Sequence, residues 1–439
     1  MGLTGSELSR LLGGDVTELT RLLGGASRET WSLRLDGRPL VLRRDPPGAP
    51  RGGGMPREAA LLRAAAAAGV PVPEVVADGD DFLVMEWLDG ETIPRRILRD
   101  DAYADARPLL VGQCATALAG LHTSLQPEDI DGLPVDDDPL ASLRETLDRL
   151  GEPHPALELG LRRLAVTRPP PTGRGVVHGD FRLGNWMVGP AGLVGVLDWE
   201  LAHVGDPAED LGWMCVRSWR FGAPLPVAGV GTREELLAAY AAAGGAAVDA
   251  DVLRWWEAYG TLRWGVICVQ QAAAHLTGAV RSVELAAIGR RVCEVELDLL
   301  DLLHPEAARA AAAAPPAAAS TAAGPHDRPT ADELVEAVQE WVAGLSLGGR
   351  DAFLSRVATR ALDVVRRELA LGPALAAAHA DRLAALGVSS DAELAGQVRA
   401  GRDDDTVVAA VCAAVVDKLR VADPRHGVLS AGERFGHPA

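Results

Sequence analysis

The stretch VVHGDFRLGNWMVG, residues 176–189, gathers a histidine, an aspartate, an arginine and an asparagine between apolar residues and glycines. Beyond Asn185 the chain runs through Trp186-Met187-Val188, turns at Gly189-Pro190-Ala191-Gly192 and returns through Leu193-Val194-Gly195-Val196-Leu197 to Asp198. Two short β-prone runs joined by a tight turn predict a hairpin. Such a hairpin sets the residue before its first strand opposite the residue after its second. Asn185 and Asp198 are therefore expected at its open end, with Asp180 five residues upstream and within reach of both. Two carboxylates and an amide are hard oxygen donors of the kind Mg²⁺ takes, and they leave coordination positions for phosphate and water. A carboxylate beyond the metal ligands can accept a proton from a hydroxyl nucleophile. Singly, each of these residues is an ordinary turn or capping residue. Together, with His178 and two glycines in place, they read as a phosphoryl-transfer site.

At 439 residues the chain is expected to form two or three domains. Apolar residues make up 48% but aromatics only 4%, ten of them Trp, so the interior must be mainly Ala, Leu and Val, which favours packed helices. The net charge of −18 is spread along the chain and supplies no basic face, which argues against a nucleic-acid partner. Cysteines 114, 215, 268, 293 and 412 stand far apart, without a CxxC pair or a His at ligand spacing, and read as reduced thiols. The opening MGLTGSELSRLLGG lacks the basic and apolar regions of a signal peptide, and no run approaches the ~18 apolar residues of a membrane span. A soluble cytoplasmic protein with no membrane partner is expected. There is a single lysine, Lys418, against forty-two arginines, so Arg is expected where a related protein would use Lys.

Upstream, the β-prone runs WSLRL and LVLRR flank Asp36-Gly37-Arg38-Pro39 and predict a hairpin. A helix over MPREAALLRAAAAAGV and two more strands, EVVADGD and DFLVMEWLDG, follow. Residues 103–168 and 233–303 read as helical. The Ala/Pro stretch from Pro305 to Pro329 reads as a linker. Behind it, Thr330 and Glu333 form a capping box, and Leu334, Val338, Trp341 and Leu345 recur at helical spacing. A second helix is expected over 352–371, stopped by Gly372-Pro373, and a third after the capping box of Ser390 and Glu393. The expected division is 1–90, 91–305, a linker over 306–327, and a small all-helical domain over 328–439.

The segments VVHGDFRLGNWMV, GVLDWE and GDPAEDLGW resemble the catalytic core of the aminoglycoside phosphotransferase and choline kinase family, over about residues 10 to 305. The likeness is greatest to the subgroup that includes the kinase-like domain fused to some animal acyl-CoA dehydrogenases. It implies an α+β class: a two-lobed protein-kinase-like fold, with a small antiparallel sheet plus helix and a larger mainly helical lobe, followed by the separate all-α domain. By this resemblance Asp180 is the catalytic base, Asn185 and Asp198 hold Mg²⁺, and His178 positions the loop. The nucleotide is ATP, with GTP left open. The family's small-residue phosphate loop matches LLGGASRET, with Gly25 and with Ser27 at the phosphate position. The strand cation that pairs with a helix Glu would be Arg43 or Arg44, with Glu58 as its partner, in place of the usual Lys. In LVMEWLDG the Glu86 carbonyl and Leu88 N–H would meet adenine, with Met85 behind them.

The acceptor is less marked. Arg interleaved with Trp in WMCVRSWRFG and RWWEAYGTLRWG, together with Arg182, suggests a planar or anionic ligand such as a hydroxyacyl-CoA. Trp255, Trp256 and Trp264 equally suit the cores of amphipathic helices. A cationic acceptor, as in aminoglycoside or choline kinases, and a nucleotide-binding scaffold without turnover remain as alternatives. The tail resembles an uncharacterised helical domain attached to bacterial kinases of this kind, suited to forming a homodimer or covering the acceptor.

Overall fold

The computed structural model describes residues 5–22, 29–45, 54–316 and 329–429. Two compact units emerge: Met1–Asp137 with Pro169–Glu257, and Asp138–Arg168 with Ala258–Ala439.

The first unit opens with helix α1 (Gly5–Leu12) and strands β1 (Val16–Leu22), β2 (Glu29–Leu35) and β3 (Arg38–Arg44). Helix α2 (Gly54–Ala67) leads to β4 (Val75–Asp78) and β5 (Phe82–Glu86). The five strands form one antiparallel sheet in the order β1-β2-β3-β5-β4. The expected β2–β3 hairpin turns at Asp36 and Gly37, both with positive φ, as a two-residue turn of this kind demands. Neither α1 nor β1 was legible in sequence: β1 carries an irregularity between Thr17 and Thr20, with Glu18 in the left-handed region, which breaks its alternation.

Alternation along β3 fixes which arginine faces the site. Leu40 and Leu42 pack with Leu8, Leu33 and Val84 on one face, while Val41 packs on the other with Leu83, Met85 and the α2 residues Met55 and Leu62. Arg43, two residues after Val41, shares that second face.

The unit continues with α3 (Pro94–Arg99), α4 (Arg107–Ser124), β6 (Gly175–Val177), β7 (Trp186–Gly189), β8 (Gly192–Val196), β9 (His203–Gly205), α7 (Ala208–Cys215) and α8 (Arg233–Ala242). Strand β6 pairs with β9, and β7 with β8 as the expected hairpin. Glu91, just past the hinge stretch, exchanges two backbone hydrogen bonds of 2.9 and 3.0 Å with Val188 of β7.

The second unit contains α5 (Pro139–Leu150) and α6 (Pro155–Val166), the later part of α9 (Ala250–Leu276), and α10 (Val283–Gly289), α11 (Val292–Leu303) and α12 (Pro305–Ala313). Helices α13 (Ala331–Ala343), α14 (Gly349–Ala385), α15 (Asp391–Arg399) and α16 (Asp405–Ala422) complete it. Its core joins Leu159 of α6, Leu297 and Leu300 of α11 and the Val411, Val415 and Leu419 stripe of α16. The compact units therefore do not part at the Ala/Pro stretch. The start of that stretch is helical, with Ala308 fully buried, because an Ala-rich segment has high helix propensity and lies flat against α16.

Helix α14 also corrects an expectation, since it runs through Gly372-Pro373 to Ala385. Proline removes one backbone hydrogen bond, but side chains fasten the helix on both sides of it: Arg367 reaches the Val421 carbonyl at 2.6 Å and Arg382 reaches Asp417 at 2.7 Å. The expected stripe on α13 stays open to solvent, with Leu334, Val338 and Trp341 each more than half exposed. Ser390 caps α15 as expected, its hydroxyl accepting the Glu393 N–H, but the Glu393 carboxylate closes on Ser389 instead of completing the expected capping box. Among the described residues no helix is long and apolar enough to cross a membrane, and all five cysteines are free and buried.

Candidate active site

The loop after β6 is fastened from below by Asp210, a fully buried residue of α7. Its carboxylate accepts the backbone N–H groups of His178 (2.7 Å) and Gly179 (2.9 Å) and Nε2–H of His122 (3.1 Å). Burial alone would raise its pKa, but the bonds from His122 and the loop hold it below the ordinary carboxylate value. Gly179 has φ +75°, and a Cβ there would lie 2.5 Å from the Leu201 carbonyl oxygen, so only glycine fits.

His178 is fully buried and links two parts of the site. Its Nδ1 accepts the Asp180 N–H at 3.1 Å, which leaves the proton on Nε2 to donate to the Leu197 carbonyl at 3.1 Å. Burial lowers its pKa, keeping the ring neutral. Its geometry is that of a brace between the loop and the return strand.

Asp180 ends the loop with its carboxylate gripped by three side chains. Oδ1 accepts Arg182 Nε and Trp213 Nε1, both at 2.9 Å, and Oδ2 accepts Asn185 Nδ2 at 2.6 Å. Asn185 Nδ2 also reaches the Asp180 carbonyl at 3.0 Å. With its nitrogen committed, Asn185 has Oδ1 left as the atom able to bind a cation. The Leu197 N–H donates to the Asn185 carbonyl at 2.8 Å, so Asp198 leaves the hairpin beside Asn185 rather than directly across from it. An irregularity between Met187 and Val188 shifts the register toward Asp198, since without it Asn185 would fall opposite Val196. Asp198 itself sits in the left-handed region, φ +66°, a strained conformation of the kind that collects at functional sites.

Arg43 projects from β3 into this group. Its guanidinium pairs with Glu58 of α2, which is buried, and reaches Asp198 Oδ1 at 3.3 Å. Burial opposes the charge, but Glu58 and Asp198 outweigh it and hold the pKa above the ordinary arginine value. Arg44 turns away to Asp81 at 3.4 Å. Of the two arginines left open by the sequence, Arg43 belongs to the site.

At the hinge stretch, Glu86 ends β5 and Met85 is buried behind it. Leu88 makes no backbone hydrogen bond among the described residues. A side chain at Gly195 would meet Leu88 Cδ1 at 2.4 Å, so the hairpin is kept bare where the hinge residue lies on it. Gly25 and Ser27, the expected phosphate-loop residues, lie outside the described residues.

The Arg/Trp pattern resolves differently from its first reading. Trp213, Trp219, Trp255 and Trp256 are all buried, and Arg220 is tied to Glu257 at 2.8 Å, as is Arg233 at 2.7 Å. These are core aromatics and a buried ion-pair network. Arg182 is the exception, its guanidinium lying 4.5 Å from the centroid of the Trp219 ring. The sequence reading missed Asp210, His122 and the Trp213–Asp180 bond. The signal available was two adjacent acids, Glu209 and Asp210, inside the otherwise apolar run AEDLGWMC.

Among the described residues no three His, Cys, Asp or Glu side chains form a metal cage. A cation at this site would draw on Asn185, Asp198 and oxygens the chain does not supply.

Residues 18–259 match the phosphotransferase enzyme family, and residues 346–426 match a family described as a domain of unknown function (DUF6285). Mouse acyl-CoA dehydrogenase family member 10 is 32% identical over 211 residues, 43% of this chain and 19% of that protein. Chicken acyl-CoA dehydrogenase family member 11 is 27% identical over 309 residues, 62% of this chain and 39% of that protein. The chain thus spans well under half of either relative. The crystal structure of a candidate aminoglycoside phosphotransferase from Ralstonia eutropha superposes with a TM-score of 0.52 at 21% identity, covering 66% of this chain and 93% of that one. At that identity the likeness is one of fold.

Proposed function

The chain belongs to the phosphotransferase enzyme family, and from that premise we propose that it transfers the terminal phosphoryl group of ATP to a hydroxyl of a small molecule, with Asp180 as the base. One observation carries the assignment. An ionised carboxylate has about four lone-pair sites, and Asp180 uses two on Oδ1 and one on Oδ2. Oδ2 therefore keeps a site for the acceptor hydroxyl, in an orientation fixed by Trp213, Arg182 and Asn185. As the hydroxyl oxygen bonds to phosphorus and the bond to the ADP oxygen breaks, the hydroxyl proton passes to Oδ2.

Arg43 would hold the nucleotide's α- and β-phosphates, with Glu58 fixing its fork. The unbonded Leu88 N–H supports adenine binding at the hinge. Asn185 Oδ1 and the Asp198 carboxylate suit Mg²⁺, which takes one or two protein carboxylates plus phosphate and water oxygens. When bound, Mg²⁺ supplies neutralisation of phosphate charge.

For the acceptor, a hydroxyacyl-CoA or another anionic hydroxy metabolite is the preferred reading. It is supported by Arg182 on Trp219 beside the base and by the acyl-CoA dehydrogenase names of the matched relatives. Turnover with ATP, Mg²⁺ and a panel of hydroxyacyl-CoAs, amino sugars and choline tests it. Phosphorylation of a CoA ester is expected. Transfer to an amino sugar or choline alone would overturn the acceptor class. Nucleotide binding without transfer to any acceptor would favour a scaffold.

A further inference from the structure

The second unit contains a cavity of about 360 Å³ walled by α11, α14 and α16, at the small end of the roughly 300–1,000 Å³ typical of ligand sites. It lies outside the catalytic constellation, and the phosphotransfer reading makes no use of it. Part of its wall is apolar, with Val292, Leu375 and Val421. Most charges on the remainder are neutralised in pairs. Arg382 meets Asp417 at 2.7 Å, His154 meets buried Glu296 at 2.9 Å, and Arg290 pairs with Glu368.

Lys418 breaks this pattern. The chain's single lysine lines the cavity and is accessible to solvent, yet it has no hydrogen bond or ion pair within bonding distance among the described residues. Glu296 holds its ammonium above the ordinary lysine range against the opposing effect of desolvation. It is therefore a persistent cation rather than the free amine that would condense with a carbonyl. A second donor comes from α14, which also lines the cavity: Nε of Arg382 is buried without an acceptor among the described residues. A buried donor left unmatched costs about 1–3 kcal/mol, so the wall is set for an acceptor the chain does not provide.

The geometry points to a second binding site in this cavity, for a small carboxylate with a short apolar tail, the carboxylate on Lys418 and Arg382 and the tail against Val292, Leu375 and Val421. A single unpaired cation matches a single negative charge. A dianion would leave its second charge facing the carboxylates of Glu296 and Asp417, which repel it.

The lone lysine makes the test specific. Reductive ¹³C-methylation of the 439-residue chain labels only Lys418 and the terminal amine, and it preserves the lysine charge. Titration with hexanoate is expected to shift the Lys418 methyl signal saturably and leave the terminal signal in place. Hexan-1-ol should not reproduce the shift. Calorimetry on unlabelled protein should show hexanoate binding that Lys418→Met abolishes while ATP binding is unchanged. No saturable shift, or an equal response to hexan-1-ol, would overturn the proposal by showing a cavity that holds water or any apolar solute. A response to inorganic phosphate but not to hexanoate would overturn the carboxylate assignment. Because the methyl signal is read on the native sequence, a variant that misfolds does not remove the test.

Discussion

The indole N–H of Trp213 donates to Oδ1 of Asp180 across 2.9 Å, tying α7 to the loop that follows β6. Arg182 donates to the same oxygen at the same distance, so Oδ1 is saturated and Oδ2 is turned toward Asn185 and the open side. The proposed base is thus oriented by an aromatic residue that the sequence analysis read as part of a ligand-facing Arg/Trp pattern. It is buried in the core and also bonded to the site.

Replacing Trp213 with Phe should keep much of the packing against Trp219 while deleting the donor. A hydrogen bond to a charged group is worth about 1.5–3 kcal/mol, so kcat should fall roughly 10- to 100-fold, with KM for ATP little changed. Asp180→Ala should abolish transfer and leave nucleotide binding nearly intact, because a base acts in the chemical step. Steady-state kinetics with an ATP-binding assay separates the two. An Asp180→Ala enzyme with full activity would show that another group takes the proton.

Arg43 meets Glu58 and Asp198 at once, which a forked guanidinium can do and a single ammonium does less well. Arg43→Lys should therefore raise KM for ATP more than it lowers kcat. Arg43→Met should take the guanidinium away from its pair with buried Glu58 and cost about 3–5 kcal/mol of stability, seen as a large drop in Tm. Arg44→Met removes only the 3.4 Å contact to exposed Asp81 and should alter neither quantity. If the Arg44 variant is the one that loses ATP affinity, the orientation of β3 in solution differs from that described.

The proposed catalytic half of the site could be located in the sequence because its residues are local. Asp180, Asn185 and Asp198 lie within nineteen residues and are joined by one hairpin, whose turn and strand lengths can be counted. Arg43 against Arg44 could be decided only once the two faces of β3 were known, since LVLRR offers arginines to both. Asp210 was hidden for a different reason. It contacts no reacting group, and its partner His122, itself bonded to Tyr240 of another helix, comes from a helix 88 residues away. In the tail, capping boxes marked helix starts well, whereas Pro373 misled. The helix-breaking cost of proline is local, and the side-chain ties from α14 to α16 that offset it are not.

Two histidines give opposite pH dependences. His178 is buried and neutral with a lowered pKa, so the unfolded chain binds more protons below about pH 6.5 and stability of its unit falls as the solution is acidified. Burial opposes the charge of His154 too, but Glu296 outweighs it and the pKa is raised. The stability His154 adds is complete below about pH 6.5 and is lost as pH rises through its folded value. His154→Gln should therefore cost more at about pH 5.5 than at about pH 8.5, measured as Tm against pH. An equal cost at both ends would show that the ring is uncharged in the folded protein.

Asp210→Asn keeps the shape of the side chain but turns an NH2 toward N–H donors. Oδ1 accepts from Gly179, and Oδ2 accepts from His178 and His122. Whichever way the amide is placed, at least one backbone N–H faces a nitrogen in a fully buried position. With about 1–3 kcal/mol for each unmatched donor, a destabilisation of roughly 1–6 kcal/mol is expected if one or two are left. Activity should fall further than stability alone explains, because the same two N–H groups set the path from β6 to Asp180. Tm and kcat measured at a temperature where the variant is fully folded distinguish these effects. A variant with lowered Tm but unchanged kcat would make Asp210 a fold residue only, and the position of Asp180 would then depend on Trp213, Arg182 and Asn185 alone.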